Sequence, residues 1–201
     1  MLGNAALNRK AKGIGMNPKN RTRIPTTTQC YEMLKETGTF EHIKEHSETV
    51  TRVAKEIAQR LNSAGKNIDI ELVVAAALLH DVTKTRSLET GEDHAETGAE
   101  LIRGKGYVDV SEIVRQHVRL DDEPGNETIT EAEIVNYADK RVIDREIVDL
   151  KERRDYILKR YADLFDDPGE LEKIFKNTEK TEAKIFNAMP YRPTSLKENC
   201  G

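Results

Sequence analysis

The chain has 201 residues, 37% apolar and 34% charged, with a formal net charge of −4 and no tryptophan. That length allows one domain with a real core, and the acidic balance argues against a general nucleic-acid binder, which would carry a basic face. No apolar run reaches the roughly 18 residues a transmembrane helix needs, so no membrane association is expected.

Residues 1–25 are basic through Arg9, Lys10, Lys12, Lys19, Arg21 and Arg23 but lack the apolar core of a signal peptide. They read as a poorly ordered leader rather than an electrostatic tail for an anionic partner. Thr26 with Gln29 then offers a helix start, and Gly38 a stop. A second helix is expected over 40–62, with an apolar stripe through Ile43, Val50, Val53, Ile57 and Leu61. His46 falls on that stripe, whereas His42 lies at its edge and reads as an exposed surface residue.

Asp69 can cap a third helix over 70–81. It carries the most apolar run in the chain, Val73-Val74-Ala75-Ala76-Ala77-Leu78-Leu79, and delivers His80, Asp81 and, three residues on, Lys84. Residues 84–91 read as a polar connection. Asp93 caps a helix over 94–103 with His94, Gly98, Leu101 and Ile102 inward, and Ser111 opens another with Ile113, Val114, His117 and Val118 inward. Asp121-Asp122-Glu123-Pro124-Gly125-Asn126 is a loop, its acidic residues read as solvated surface. Thr130 and Glu133 form a capping box for a helix carrying Ile134, Val135, Ala138, Asp139, Val142 and Ile143 on one face. Two Lys/Glu-rich helices, over 150–164 and 170–188, follow around Asp166-Asp167-Pro168-Gly169. No period-two alternation is sustained, so no sheet is expected. The reading is an all-α bundle of about eight helices: a leader over 1–25, a site-bearing domain over 26–148, and helices in 149–201 that pack on it or form a homodimer face. Cys30 and Cys200 make no CxxC motif or disulfide framework, so a cytoplasmic setting is expected.

Four of the five histidines, His46, His80, His94 and His117, lie on inward faces of separate predicted segments, together with Asp81 and Asp139. Six buried ionisable groups left unpaired would each cost several kcal/mol. A shared divalent metal removes that cost, because imidazole nitrogen and carboxylate oxygen are ordinary transition-metal ligands.

The order His46 … His80-Asp81 … Asp139 resembles the HD superfamily of metal-dependent phosphohydrolases. The matching stretches are His46-Ser-Glu-Thr-Val50, Ala77-Leu-Leu-His80-Asp81-Val-Thr-Lys84, His94-Ala-Glu-Thr-Gly98 and Ile134-Val-Asn-Tyr-Ala-Asp139-Lys. Thr83 stands where family members often have Gly or Ala. The resemblance implies an HD-domain-like helical bundle with His46, His80, Asp81 and Asp139 as ligands of one metal. His94 and His117 stand where two-metal members add histidines, with Asp81 bridging. The chain is also similar to small HD hydrolases of dinucleoside polyphosphates, and it lacks the Gly-Tyr-Pro signature of the cyclic-di-GMP phosphodiesterases.

The expected activity is a metal-dependent phosphohydrolase acting on a small phosphorylated substrate, nucleotides included, with metal-activated water as the nucleophile. One or two ions are expected, with Fe, Mn, Co, Ni and Zn all compatible with the ligands. Such a site also needs fixed cations: Lys84 is the first candidate for contact with substrate, then Arg119, Lys140 and Arg141. The alternatives are a di-iron oxygenase on the same fold, permitted by His94 and His117, and a non-catalytic ligand-binding domain.

Overall fold

Thr26 opens the helical part as its capping box predicts. Its hydroxyl accepts the Gln29 N–H and the Gln29 side chain accepts the Thr26 N–H, starting α1 (Thr27–Glu36). The computed structural model describes residues 23–123, 125, 128–161 and 168–200. Most of the basic leader, Pro124 and Asn126 of the acidic loop, and Asp166-Asp167 of the later linker lie outside the described residues. After Gly38, whose φ of +65° suits a residue without a Cβ, α2 (Glu41–Ser63) buries Ile43, Val50, Val53, Ile57 and Leu61.

α3 (Ile70–Leu79) is capped by Asp69, which accepts the Leu72 N–H, and residues 75–79 are all buried. It ends two residues before the expected 81. The chain turns there, with the Val82 N–H donating to Leu79 O and the Lys84 N–H to Asp81 O. Residues 84–91 are not a connection but α4 (Lys84–Thr90), ended by Gly91 at φ +73°. It buries only Thr85, so it carries no apolar stripe by which a sequence reading could find it.

Asp93 caps α5 (His94–Gly104) by accepting the Ala95 and Glu96 N–H groups. α6 (Val108–Arg115) begins three residues earlier than Ser111 and stops before His117, which sits in the turn beyond it; Val118, expected inward, is exposed. α7 (Glu131–Lys140) starts from the Thr130–Glu133 capping box.

Val142 and Ile143, expected on that helix, instead form β1 (Val142–Ile143), paired antiparallel with β2 (Glu146–Ile147). The turn between them places Asp144 at φ +52°, a left-handed conformation that Asp tolerates better than most residues. α8 (Leu150–Tyr161), α9 (Pro168–Asn187) and an unanticipated α10 (Ser195–Cys200) complete the all-α architecture.

α3 is the central helix and packs against α1, α2, α6 and α7. α5 lies on α6, α9 on α7 and α10 on α2. Cys30 and Cys200 are buried free thiols. No helix among the described residues is long and apolar enough to cross a membrane.

Candidate metal centre

The turn that ends α3 is tied down on two sides. Thr39, just after α1, donates its hydroxyl to Val82 O at 3.1 Å, and the Thr85 hydroxyl accepts the Phe40 N–H at 2.9 Å. Thr83 donates to His94 O at 2.9 Å and shares a hydrogen bond with the Thr97 hydroxyl. The Thr83 hydroxyl thus joins this turn to α5. Gly98 allows the approach, because a Cβ there would lie 3.3 Å from Thr83 Oγ1 and 3.4 Å from the Val82 and Val114 methyls.

Four imidazoles stand in a row, His46, His80, His117 and His94, with neighbouring ring centroids 5.3, 5.0 and 5.0 Å apart. Three of them have Nδ1 against a backbone carbonyl: His46 to Asp144 O at 3.1 Å, His80 to Ala77 O at 2.8 Å and His117 to Val114 O at 2.7 Å. A neutral imidazole donating from Nδ1 presents Nε2 as a lone pair. Those lone pairs converge. His46 Nε2 lies 3.2 Å from Asp139 Oδ1, His94 Nε2 lies 3.2 Å from both His117 Nε2 and Asp81 Oδ1, and His80 Nε2 lies 3.6 Å from Asp81 Oδ2 and 3.7 Å from Asp139 Oδ1.

The pKa shifts follow from this crowding. Burial pushes His80 down to about 4 and also lowers His94, despite the nearby Asp81. For His46 burial is the largest influence and opposes the charge, but the hydrogen bond and charge of Asp139 outweigh it and raise the pKa. Both carboxyls are held well below the usual range. Burial resists this at Asp81, but His80 and Lys84 with the His117 and His94 contacts prevail; at Asp139 the opposing groups are Lys140, His46 and Arg153.

His80 Nε2 and Asp81 Oδ1 are buried with no hydrogen-bond partner among the described residues, although imidazole nitrogens lie close to both. Lone pairs facing lone pairs and carboxylates are costly without a cation, and the ligand set is the kind that takes one. Two triplets can hold an ion each, His46/His80/Asp81 and Asp81/His94/His117; within each, the ligand atoms lie within 4.8 Å of one another. Asp81 belongs to both.

Residues 43–142 match the HD domain family. This stretch is an HD domain. It is 34% identical over 110 residues to a tRNA (cytidine(56)-2'-O)-methyltransferase of Thermoplasma volcanium, covering 52% of this chain and 30% of that protein. A protein of the same name from Picrophilus torridus is 34% identical over 146 residues, covering 66% of this chain and 40% of that one. An uncharacterised protein of Methanocaldococcus jannaschii is 33% identical over 79 residues, or 39% and 46% of the two chains. The chain therefore spans less than half the length of each of these relatives. A crystal structure of a predicted HD superfamily hydrolase from an uncultured Thermotogales bacterium aligns with 82% of this chain and 91% of its own, at 22% identity and a TM-score of 0.46.

The HD motif residues His46, His80, Asp81 and Asp139 meet in space, and His94 and His117 join them. Lys84, at the start of α4, puts Nζ 3.0 Å from His94 Nε2 and 3.9 Å from Asp81 Oδ1. Lys140 is adjacent but buried: its Nζ donates to His117 O at 2.6 Å and lies 3.5 Å from Asp139 Oδ2, which fixes the turn carrying His117 to α7. Burial lowers its pKa against the pull of Asp139.

Arg141 takes a different place from the one expected. Only 3% exposed, it donates to Val148 O, the Tyr137 hydroxyl and Pro193 O, and pairs with Glu182, so its fork is already occupied in holding the C-terminal segment to α7. Arg119 is exposed and lines a cavity of about 470 Å³ with Asp121, Asn136 and Lys173. The acidic loop is matched by surface cations, Asp121 by Arg115 and Glu123 by Lys173 and Lys180. His42 is exposed, its ring 5.7 Å from that of Phe40.

Two residues of the site lie in parts of the sequence where no chemistry was read. Asp144, in the β-turn, supplies the carbonyl that orients His46. Arg153, on α8, places Nη2 3.7 Å from Asp139 Oδ1.

Proposed function

We propose that this chain is a metal-dependent phosphohydrolase acting on a small phosphoester or nucleotide. The observation that carries the reading is the pair of ligand triplets sharing Asp81, with the amine of Lys84 at their edge. His46, His80 and Asp81 would hold one ion, beside Asp139, and Asp81, His94 and His117 a second. A divalent ion bound there lowers the pKa of water and supplies hydroxide at neutral pH.

The remaining work falls to the chain's own residues. The carbonyls of Ala77, Val114 and Asp144 hold three imidazoles in the tautomer that leaves Nε2 free. Asp81 and Asp139, kept ionised at neutral pH, balance the positive charge. Lys84 is placed to meet a phosphoryl oxygen, and phosphoryl transfer depends mostly on such positioning and charge neutralisation.

That cation suits a phosphorylated substrate, which favours hydrolysis over the di-iron oxygenase reading. The two relatives named for methylating a tRNA cytidine share only part of their length with this chain. Methyl transfer would need a methyl-donor site, and the constellation here consists of metal-ligand types.

The test is an anaerobic panel of nucleotides and dinucleoside polyphosphates with protein loaded with Mn, Fe or Co. The reading expects phosphate release that chelator abolishes and His80→Ala eliminates. Oxygen uptake with ferrous iron and no phosphate release under any metal would replace it with the oxygenase.

A further inference from the structure

The row of imidazoles has a cation at each end. Lys84 stands beside His94 and Asp81; at the other end, beside His46 and Asp139, stands Arg153. Its helix begins where α7 and the β-ribbon fix the chain. The Val148 N–H donates to Arg141 O, and Asp149 and Glu152 cap α8 reciprocally at 2.9 and 2.7 Å. One turn later Arg153 enters the site with its side chain only 15% exposed and its guanidinium 5.9 Å from the Tyr156 ring.

Arg153 is not used up by Asp139. An arginine given over to a carboxylate frequently makes two parallel bonds at about 2.7–2.9 Å. Here a single Nη2 approaches to 3.7 Å, beyond hydrogen-bond length, on an oxygen already facing His46. Its Nε is buried and has no hydrogen-bond partner among the described residues. A planar fork with a spare buried donor, its Nη2 already at the edge of the site, matches the geometry of a phosphoryl group.

We infer that Arg153 binds a phosphoryl oxygen of the substrate, at the end of the row opposite Lys84. The assignment rests on the phosphohydrolase reading and extends it to a residue outside the 43–142 family match. Arg153 then serves the half of the site beside His46 and Asp139 and Lys84 the half beside Asp81 and His94, while Lys140, buried against His117 O, contributes charge but no contact.

The test is calorimetric titration of inorganic phosphate into the manganese-loaded full chain, with metal content and melting temperature measured on the same samples. In Arg153→Gln, metal content and melting temperature should match wild type, while the phosphate dissociation constant rises about tenfold to a hundredfold, the effect of losing one charge-assisted donor. Arg153→Lys, which keeps the charge but not the fork, should show a smaller rise. A dissociation constant within about twofold of wild type in Arg153→Gln would overturn the assignment. So would loss of manganese in both variants, which would make Arg153 a positioning residue for Asp139. Wild-type protein that binds manganese but not phosphate would overturn the phosphohydrolase reading and this assignment with it.

Discussion

Replacing His80 with leucine separates what the histidine does for the fold from what it does for the site. Its side chain is fully buried, its Nδ1 lies against Ala77 O, and its Nε2 has no partner. An orphaned buried acceptor costs about 1–3 kcal/mol, and the Nδ1 bond returns about 1 kcal/mol. A leucine of similar volume loses that bond, removes the orphan and adds apolar burial, so in chelator His80→Leu should melt at or above the wild type. Metal reverses the order. At a hundred times its dissociation constant a ligand specific for the folded state stabilises by about 2.7 kcal/mol. For a chain this size that is about 5–10 °C in melting temperature. Thermal melts with chelator and with excess manganese should therefore show a rise of that order in wild type and little or none in His80→Leu. A large drop for His80→Leu in chelator, with a wild type indifferent to manganese, would mean that His80 is a structural core residue and the argument is wrong.

The same variant carries a pH signature. His80 has a folded pKa of about 4, below its ordinary 6.5, so the unfolded state takes up the proton first and metal-free protein loses stability as pH falls from 6.5 towards 4. The margin of His80→Leu over wild type in chelator should widen across that window, and parallel melting curves would contradict this. Gly98→Ala gains about 1 kcal/mol of helix propensity but pushes a methyl against Thr83, Val82 and Val114. Thr83 is held by two hydrogen bonds and both valines are fully buried, so overpacking of about 1–3 kcal/mol should win and lower the melting temperature. An increase would show that the turn can yield. Burial pushes Cys30 up to about 12 and Cys200 to about 11. At pH 8.5 iodoacetamide should thus leave both intact in folded protein and label both on unfolding, as read by mass spectrometry; rapid labelling of native Cys30 would refute its burial.

The helical bundle and the clustering of the site's histidines and aspartates were legible because their signals are local. An unbroken apolar run ending in His80-Asp81 marks a helix buried nearly all round, and His46 sits on the apolar stripe of α2. Capping at Thr26, Asp69, Asp93 and Thr130 was equally readable, since each needs only a side chain and an N–H two or three residues on. What escaped depends on tertiary placement. α4 buries one threonine and leaves no stripe. Val142 and Ile143 continue the apolar phase of α7, and only the pairing with Glu146–Ile147 turns them into a strand. Arg153 and Arg154 are neighbours in a charged helix and look alike in sequence. One reaches Asp139, while the other pairs with Glu172 on the surface. The place of Arg141 escaped for the same reason, as its acceptors on Val148 and Pro193 are met only once the β-ribbon and the C-terminal segment fold back on α7.

A metal centre built from His46, His80, Asp81, His94, His117 and Asp139 would have two halves that share Asp81. Metal content per chain of anaerobically prepared wild type and Asp81→Ala tests it most directly. Wild type should hold one or two ions per chain, and Asp81→Ala should hold none because that carboxylate belongs to both triplets. Wild-type protein without bound metal, or Asp81→Ala with the wild-type content, would contradict it.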